Sequence, residues 1–458
     1  MKHIRLFIFP LFIILIAVAS CKKDDGIIVE PPVEMDPTYK QYGTPYSDVP
    51  TTENIVMYEI NLRAFSSGGD IQGIIDRLDY LKDLGINTIW LMPIFPIGEV
   101  NSVNSPYSIR DFKAVSSEYG TLDDLRKLTD EAHTRGIAVI SDWVANHTSW
   151  DNNWINKKSW YSQDANGNII MPPGTNWADV ADLDFSNEEM RLAMIDAMKY
   201  WILEANIDGY RCDYADGVPF DFWKQALDTL ANIPNRSYIF LAEGNRSDHF
   251  AAGFDLNYGW DFYGTTKSVF TGQAATSLIA TNTAEYNTIP NSAQKLRFTT
   301  NHDESAWDNT PMVLFNGKEG ALAASVISIF MGGVPMIYTG QEVGRQSTVP
   351  FFSNTNIDWN ANPDMLQAYK DILNFYAQSE VSKRGTNAVF IDNDVSCFKK
   401  VLNNEEVLII VNVRNNQTNY QLNADLQNTD WTDFLTGNTV SLGTELLLEN
   451  YQYLILEK

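Results

Sequence analysis

Three acidic residues stand where short apolar runs stop, and a fourth follows another strand-like stretch. Asp142 closes the run 137–142, Asp213 closes 207–213, and Glu243 closes 237–243. The strand-like stretch 295–301 leads into Asn301-His302-Asp303. Carboxyl groups gathered into one site and held in different protonation states are equipment for acid–base chemistry. Arg211 stands two residues before Asp213 on an extended segment, so both side chains point to the same face. A guanidinium there would keep Asp213 ionised and fix its orientation.

These residues need elements that bring them together. From about residue 54 the chain alternates strand-like and helix-like stretches. Strands are predicted over 55–60, 86–91, 137–142, 207–213, 237–243, 295–301 and 335–338. Helices are predicted over 71–84, stopping at Gly85, over 122–135, closed by Gly136, and over 188–205 and 220–231. Such repetition argues for parallel strands, in a barrel or in an open doubly wound sheet. An open sheet would string four strand-end carboxylates along an edge. A barrel collects them on one face, where active sites sit. The expected fold is therefore α/β, a (β/α)8 TIM barrel over 51–383. Residues 147–183, rich in tryptophan and without helical period, read as an inserted subdomain after the third strand. Beyond 384 the pattern turns to short alternating strands, a C-terminal all-β domain, read as a β-sandwich, over 384–458.

Composition narrows the partners. The 458 residues carry 33 Lys plus Arg against 58 Asp plus Glu, a formal charge of −25, which repels phosphate backbones and argues against nucleic acid. Aromatic residues make up 12%, enough for rings that stack on a ligand or for a large aromatic core. Three cysteines, Cys21, Cys212 and Cys397, cannot make a disulfide framework.

The motifs resemble those of glycoside hydrolase family 13, the α-amylase family. Asp142-Trp-Val-Ala-Asn146-His147 is similar to its first conserved region, and Gly209-Tyr-Arg211-Cys-Asp213 to its second. Leu241-Ala-Glu243-Gly244 resembles the third, and Thr300-Asn301-His302-Asp303 the fourth. Ala181-Asp182-Leu183-Asp184 resembles the motif ending the inserted domain. Gly333-Val-Pro-Met-Ile-Tyr338-Thr-Gly-Gln-Glu342 resembles that of the eighth strand. The order and spacing of all six agree across residues 50 to 458. The resemblance implies Asp213 as nucleophile, Glu243 as general acid/base and Asp303 as a third carboxylate that binds sugar hydroxyls, with retention at the anomeric carbon. It further implies that Tyr107 stacks under the sugar, that His147 and His302 hydrogen-bond hydroxyls, and that Asp142 supports the framework. Retention requires two carboxyl groups about 5–5.5 Å apart, one protonating the leaving oxygen and one facing the anomeric carbon.

Two positions depart from the pattern. Many starch-cleaving members place Lys-His shortly after the nucleophile, and Asp216 and Gly217 stand there instead. The family's calcium often uses an asparagine and an aspartate that correspond to Asn146 and Asp182, so the resemblance leaves room for a structural calcium, whereas the chemistry itself needs no cofactor. The expected substrate is a starch-type α-glucan or maltooligosaccharide. A transglycosylase shares every catalytic residue, and a non-catalytic glucan-binding barrel is the alternative of another class.

The N-terminus reads as an address. A basic start precedes an uncharged, mostly apolar run over 6–19, too short for a span of about 20 residues but suited to a signal-peptide core. It ends in Val18-Ala19-Ser20-Cys21, similar to a lipobox, which makes 1–20 a signal peptide and Cys21 the lipidated residue. Lys22-Lys23-Asp24-Asp25 resembles the signal of Gram-negative lipoproteins displayed on the cell surface. The expectation is an outer-membrane lipid anchor facing outward, the periplasmic face being the alternative. The proline-bearing stretch 21–50 reads as a tether.

Overall fold

The structure is a computed structural model that describes residues 39–390 and 392–458. Cys21, the signal peptide and most of the expected tether lie outside the described residues.

Eight parallel strands close into a barrel. In chain order they are β1 Met57–Ile60, β2 Thr88–Leu91, β3 Ala138–Trp143, β4 Gly209–Cys212, β5 Ile239–Ala242, β6 Leu256–Tyr258, β7 Gln294–Arg297 and β8 Val334–Tyr338. Each pairs with its sequence neighbour, and β8 closes on β1 with Met57 opposite Met336. The strands are nearly all buried, as expected when one face meets helices and the other fills the barrel. Inside, Met57, Trp90, Ile140, Leu241, Leu256, Leu296 and Met336 form one cluster. Outside, residues such as Tyr58, Ile89, Val139 and Tyr210 pack on the helices.

Two differences from the expected elements have physical causes. The sixth strand, β6, has no counterpart in the sequence pattern. It is three residues long with a polar Asn257 at its centre, so no apolar run marks it. The helix expected over 71–84 is two, Ile71–Ile75 and Leu78–Asp83. Gly73 weakens the first. Between them Arg77 leaves the helical region at φ −117° and lays its guanidinium 3.8 Å from the Trp359 ring centroid. Helix Leu122–Thr134 follows its sequence signals: Thr121 and Asp124 cap each other's backbone, and Gly136 takes the left-handed turn.

After β3 the chain makes a small antiparallel ladder, His147–Ser149 against Val180–Asp182. The C-terminal part is all β, with a six-stranded sheet and a two-stranded one. Its strand Glu405–Asn412 is buried on both sides. Leu408 and Ile410 face the C-terminal core, while Val407, Ile409 and Val411 join the cluster around the barrel helices. Cys212 and Cys397 are buried free thiols, so no bridge joins the two regions through them.

Candidate active site

Arg211 sits inside the barrel mouth with its side chain fully buried. Its Nη1 donates to Asp142 Oδ1 and to Asp213 Oδ1, both at 2.9 Å. Its Nη2 lies 2.8 Å from Glu243 Oε1, an ion pair not aligned as a hydrogen bond. Its Nε donates to the Tyr258 hydroxyl at 3.3 Å. Three carboxylates from β3 and from the ends of β4 and β5 therefore meet on one cation. The alternation of a strand does this directly, since residues 211 and 213 share a face.

Asp142 is built in rather than presented. It accepts from Trp90 Nε1 at 3.1 Å and from the Tyr107 hydroxyl at 3.0 Å, besides Arg211. Asp213 and Glu243 keep a little exposure, and Asp303 more, with 12%, 15% and 34% of their side chains open. These are the carboxylates a ligand can reach. Asp303 is not at a strand end. β7 stops at Arg297, and Asn301 caps the helix His302–Trp307, which places Asp303 in its first turn. Glu243 Oε2 accepts the Tyr214 backbone N–H at 2.6 Å. Tyr214 reaches it by adopting the left-handed conformation, φ 41°, a strained choice for a tyrosine.

His302 is the centre of a chain of contacts. Its Nδ1 is 2.5 Å from Glu59 Oε1, and its Nε2 is 2.8 Å from the Tyr107 hydroxyl. Tyr107 in turn donates to Asp142, and its ring stacks on His302 at 5.3 Å. Glu59, on β1, is wholly buried and its Oε2 has no partner. Nothing singled it out in the sequence, although a glutamate inside an apolar strand is itself a signal, because a buried charge needs a reason. His147 spends its ring on the frame. Nε2 donates to the Tyr107 carbonyl at 3.2 Å, and Nδ1 faces Asn146 Nδ2 at 3.3 Å. Burial pushes it down to about 4, so it is neutral at physiological pH.

Asp216, at the position of that lysine, turns to the neighbouring loop. It accepts the N–H groups of Asn245 and Arg246 and lies 3.2 Å from His249 Nε2, bracing the loop after Glu243. Gly244 is required there, since a Cβ would sit 2.3 Å from Asp216 Oδ1. Of the insertion tryptophans, Trp154 and Trp160 pack on each other, with Trp154 also on Phe112. Trp177 instead stands beside the site, 5.6 Å from His147 and 5.1 Å from Tyr214.

Asn146 and Asp182 are neighbours across the small ladder: His147 pairs with Asp182, and the Leu183 N–H bonds the Asn146 carbonyl. Their donors are oxygens, the type calcium takes. Calcium, however, asks for six to eight of them, and among the described residues no three acidic, histidine or cysteine groups cluster as ligands. The pair by itself falls short of a calcium site.

Charge crowding sets the electrostatics. Burial raises Asp142 to about 6 against the pull of Arg211. Burial and the Glu243 charge raise Asp303 to about 7. Asp213 is also pushed well up, first by burial and then by Glu243, and Arg211 only partly opposes this. The expectation that Arg211 alone fixes Asp213 as an anion is thus too simple for the empty site, where neighbouring carboxylates share protons. Each of these groups holds its proton more tightly folded than unfolded. The stability they contribute is therefore complete below the ordinary carboxylate range, near pH 4, and is lost as pH rises through about 7. Asp303→Asn removes one such group. Its melting temperature relative to wild type is expected to improve by about 2 °C or more between pH 5 and pH 8, with the partial exposure of Asp303 limiting the gain. Thermal melts at the two pH values check this, and a constant difference would contradict it.

The family profile described as "Alpha amylase, catalytic domain" matches residues 35–170 and 174–371. The chain is 26% identical over 415 residues to an alpha-amylase of Dictyoglomus thermophilum, covering 84% of this chain and 70% of that one. It is 26% identical over 419 residues to an alpha-amylase of Haloarcula japonica, of which it spans 60%. Among solved structures, an alpha-amylase from Lactobacillus plantarum superposes with a TM-score of 0.79 at 28% identity, over 89% of this chain and 99% of that one.

Proposed function

Because the chain belongs to the α-amylase family, whose catalytic-domain profile matches most of its length, we propose that it hydrolyses α-glucosidic bonds in starch-type glucans or maltooligosaccharides with retention. The observation that carries the reading is the single buried guanidinium of Arg211 shared by Asp142, Asp213 and Glu243.

In this mechanism Asp213 attacks the anomeric carbon while Glu243 passes its proton to the departing glycosidic oxygen. The C–O bond to the leaving sugar breaks and a glycosyl ester to Asp213 forms. Glu243, now an anion, takes a proton from water, whose oxygen displaces Asp213 from the opposite face. Arg211 orients both acids. Its charge also disperses the negative charge that returns to Asp213 when the ester opens. Asp303 and His302 stand 3.4 Å apart, suited to grip neighbouring hydroxyls of the sugar being cleaved. Tyr107 lies beneath them, held flat by its two hydroxyl contacts. The Tyr214 N–H holds Glu243 in place through its Oε2. No calcium is part of this reading, and the chemistry asks for no cofactor.

The products test it. Freshly cleaved maltoheptaose should show the α-anomer first by NMR, with the β-anomer growing only by mutarotation. Immediate β-anomer would reject double displacement. The Cys21 anchor belongs to the same proposal. The activity should sediment with outer membranes and become soluble in Cys21→Ser, and wild-type activity already in the soluble fraction would reject the anchor.

A further inference from the structure

An aromatic run leads out of the site. Tyr107 stacks on Phe351 with centroids 5.6 Å apart and planes at 22°. Phe351 touches Phe352 at 5.0 Å and Trp307 at 5.8 Å, and Trp307 touches Phe352 at 5.7 Å. Trp307 is 66% exposed, the most of any large apolar side chain among the described residues. It lies four residues after Asp303, one turn further along the same helix. The loop that carries the two phenylalanines is anchored in advance: the Val349 N–H donates to Ser305 Oγ at 3.1 Å, and Asn104 Nδ2 donates to the Phe352 carbonyl at 2.5 Å. A tryptophan held this far in water forgoes most of its burial energy. A preformed apolar patch continuous with a polar pocket marks a ligand groove.

Topology says which part of the ligand it meets. The Phe351–Phe352 loop follows β8, whereas Tyr214 follows β4, half a turn away around an eight-strand ring. Glu243, which gives its proton to the leaving sugar, is bonded to Tyr214 on that far rim. The leaving side is therefore the Tyr214 rim, and the Trp307 rim receives the sugars on the other side of the cleaved bond. We infer that Trp307, with Phe351 and Phe352, forms a stacking platform for a glucosyl ring beyond the one being cleaved, on the non-reducing side, and sets the preferred chain length. The inference rests on the reading of the site as an α-glucan hydrolase. The acids, the histidine and Tyr107 handle one ring, and the platform adds a second hold that a single glucose ring cannot use together with the first.

Binding separates this from turnover. Calorimetry with maltoheptaose and glucose is run on Asp213→Asn and on the same protein carrying Trp307→Ala or Trp307→Phe. Trp307→Ala is expected to weaken maltoheptaose binding about tenfold, equivalent to about 1.4 kcal/mol, and glucose binding by less than about twofold, with Trp307→Phe recovering part of the loss. Equal loss for both sugars, or maltoheptaose binding within twofold of the parent, would overturn the platform. Wild-type turnover of maltoheptaose is measured separately. If the enzyme is inactive while binding still depends on Trp307, the platform stands and the hydrolytic reading falls.

Discussion

Asp213→Asn is expected to cut kcat on maltoheptaose by about 10⁴-fold or more, the scale seen when a group that forms the covalent intermediate is removed. The replacement keeps shape and volume, and its carbonyl oxygen can still accept from Arg211 Nη1, where Asp213 Oδ1 now does at 2.9 Å. A fold defect is therefore not the cause of the loss. A carboxamide cannot form and release the glycosyl ester. Glu243→Gln supplies the contrast. It retains the nucleophile and removes only the proton, a contribution of about 10²–10⁴-fold. On α-maltosyl fluoride, whose leaving group needs little protonation, Glu243→Gln should regain most of its rate while Asp213→Asn stays inactive. Steady-state assays on the two substrates check the pair. Equal behaviour on the fluoride would invert or abolish the assigned roles.

The second large effect falls on Arg211. Truncation to Met leaves Asp142, Asp213 and Glu243 facing one another without the buried cation they share. Breaking a buried ion pair by removing one partner costs about 3–5 kcal/mol, so the melting temperature should drop by about 5 °C or more at neutral pH. The drop should shrink at pH 5, where the carboxyl groups take up protons instead of repelling. Activity should vanish with the ordered pair. Arg211→Lys restores a charge but not the planar fork. An ammonium cannot reach Asp142, Glu243 and the Tyr258 hydroxyl from one position. It should fold nearly as well as wild type and still lose about 10²-fold in kcat, because small displacements of reacting groups are that expensive. Full activity in Arg211→Lys would mean that charge alone matters there.

Residues that follow a strong local pattern were readable from the chain. Asp142, Asp213 and Glu243 end apolar runs, and those runs are β3, β4 and β5. Convergence demanded a barrel, and the barrel is closed. What escaped lacked a local mark. β6 is Leu-Asn-Tyr, too short and too polar at its centre for periodicity to register, so Tyr258, a partner of Arg211, stayed hidden with it. Asp303 looked like a strand-end residue because 295–301 reads as one strand running into Asn301-His302-Asp303. The chain leaves the sheet at Arg297 and reaches Asp303 through a capped helix. Glu59 passed as one more residue of the strand 55–60, and only the fold brings His302 to it across 243 residues. The insertion tryptophans could not be sorted from sequence, since packing and presentation use the same side chain.

Five acids gather here, Glu59, Asp142, Asp213, Glu243 and Asp303, and the one arginine among them pairs with three. That ratio screens substrates before any hydroxyl is recognised. A sugar phosphate or a uronic acid entering the hollow would add another anion to a crowd already giving up ionisation to stay buried. Neutral polysaccharide should therefore enter more readily than its phosphorylated or oxidised relatives, with no dedicated residue posted to exclude them.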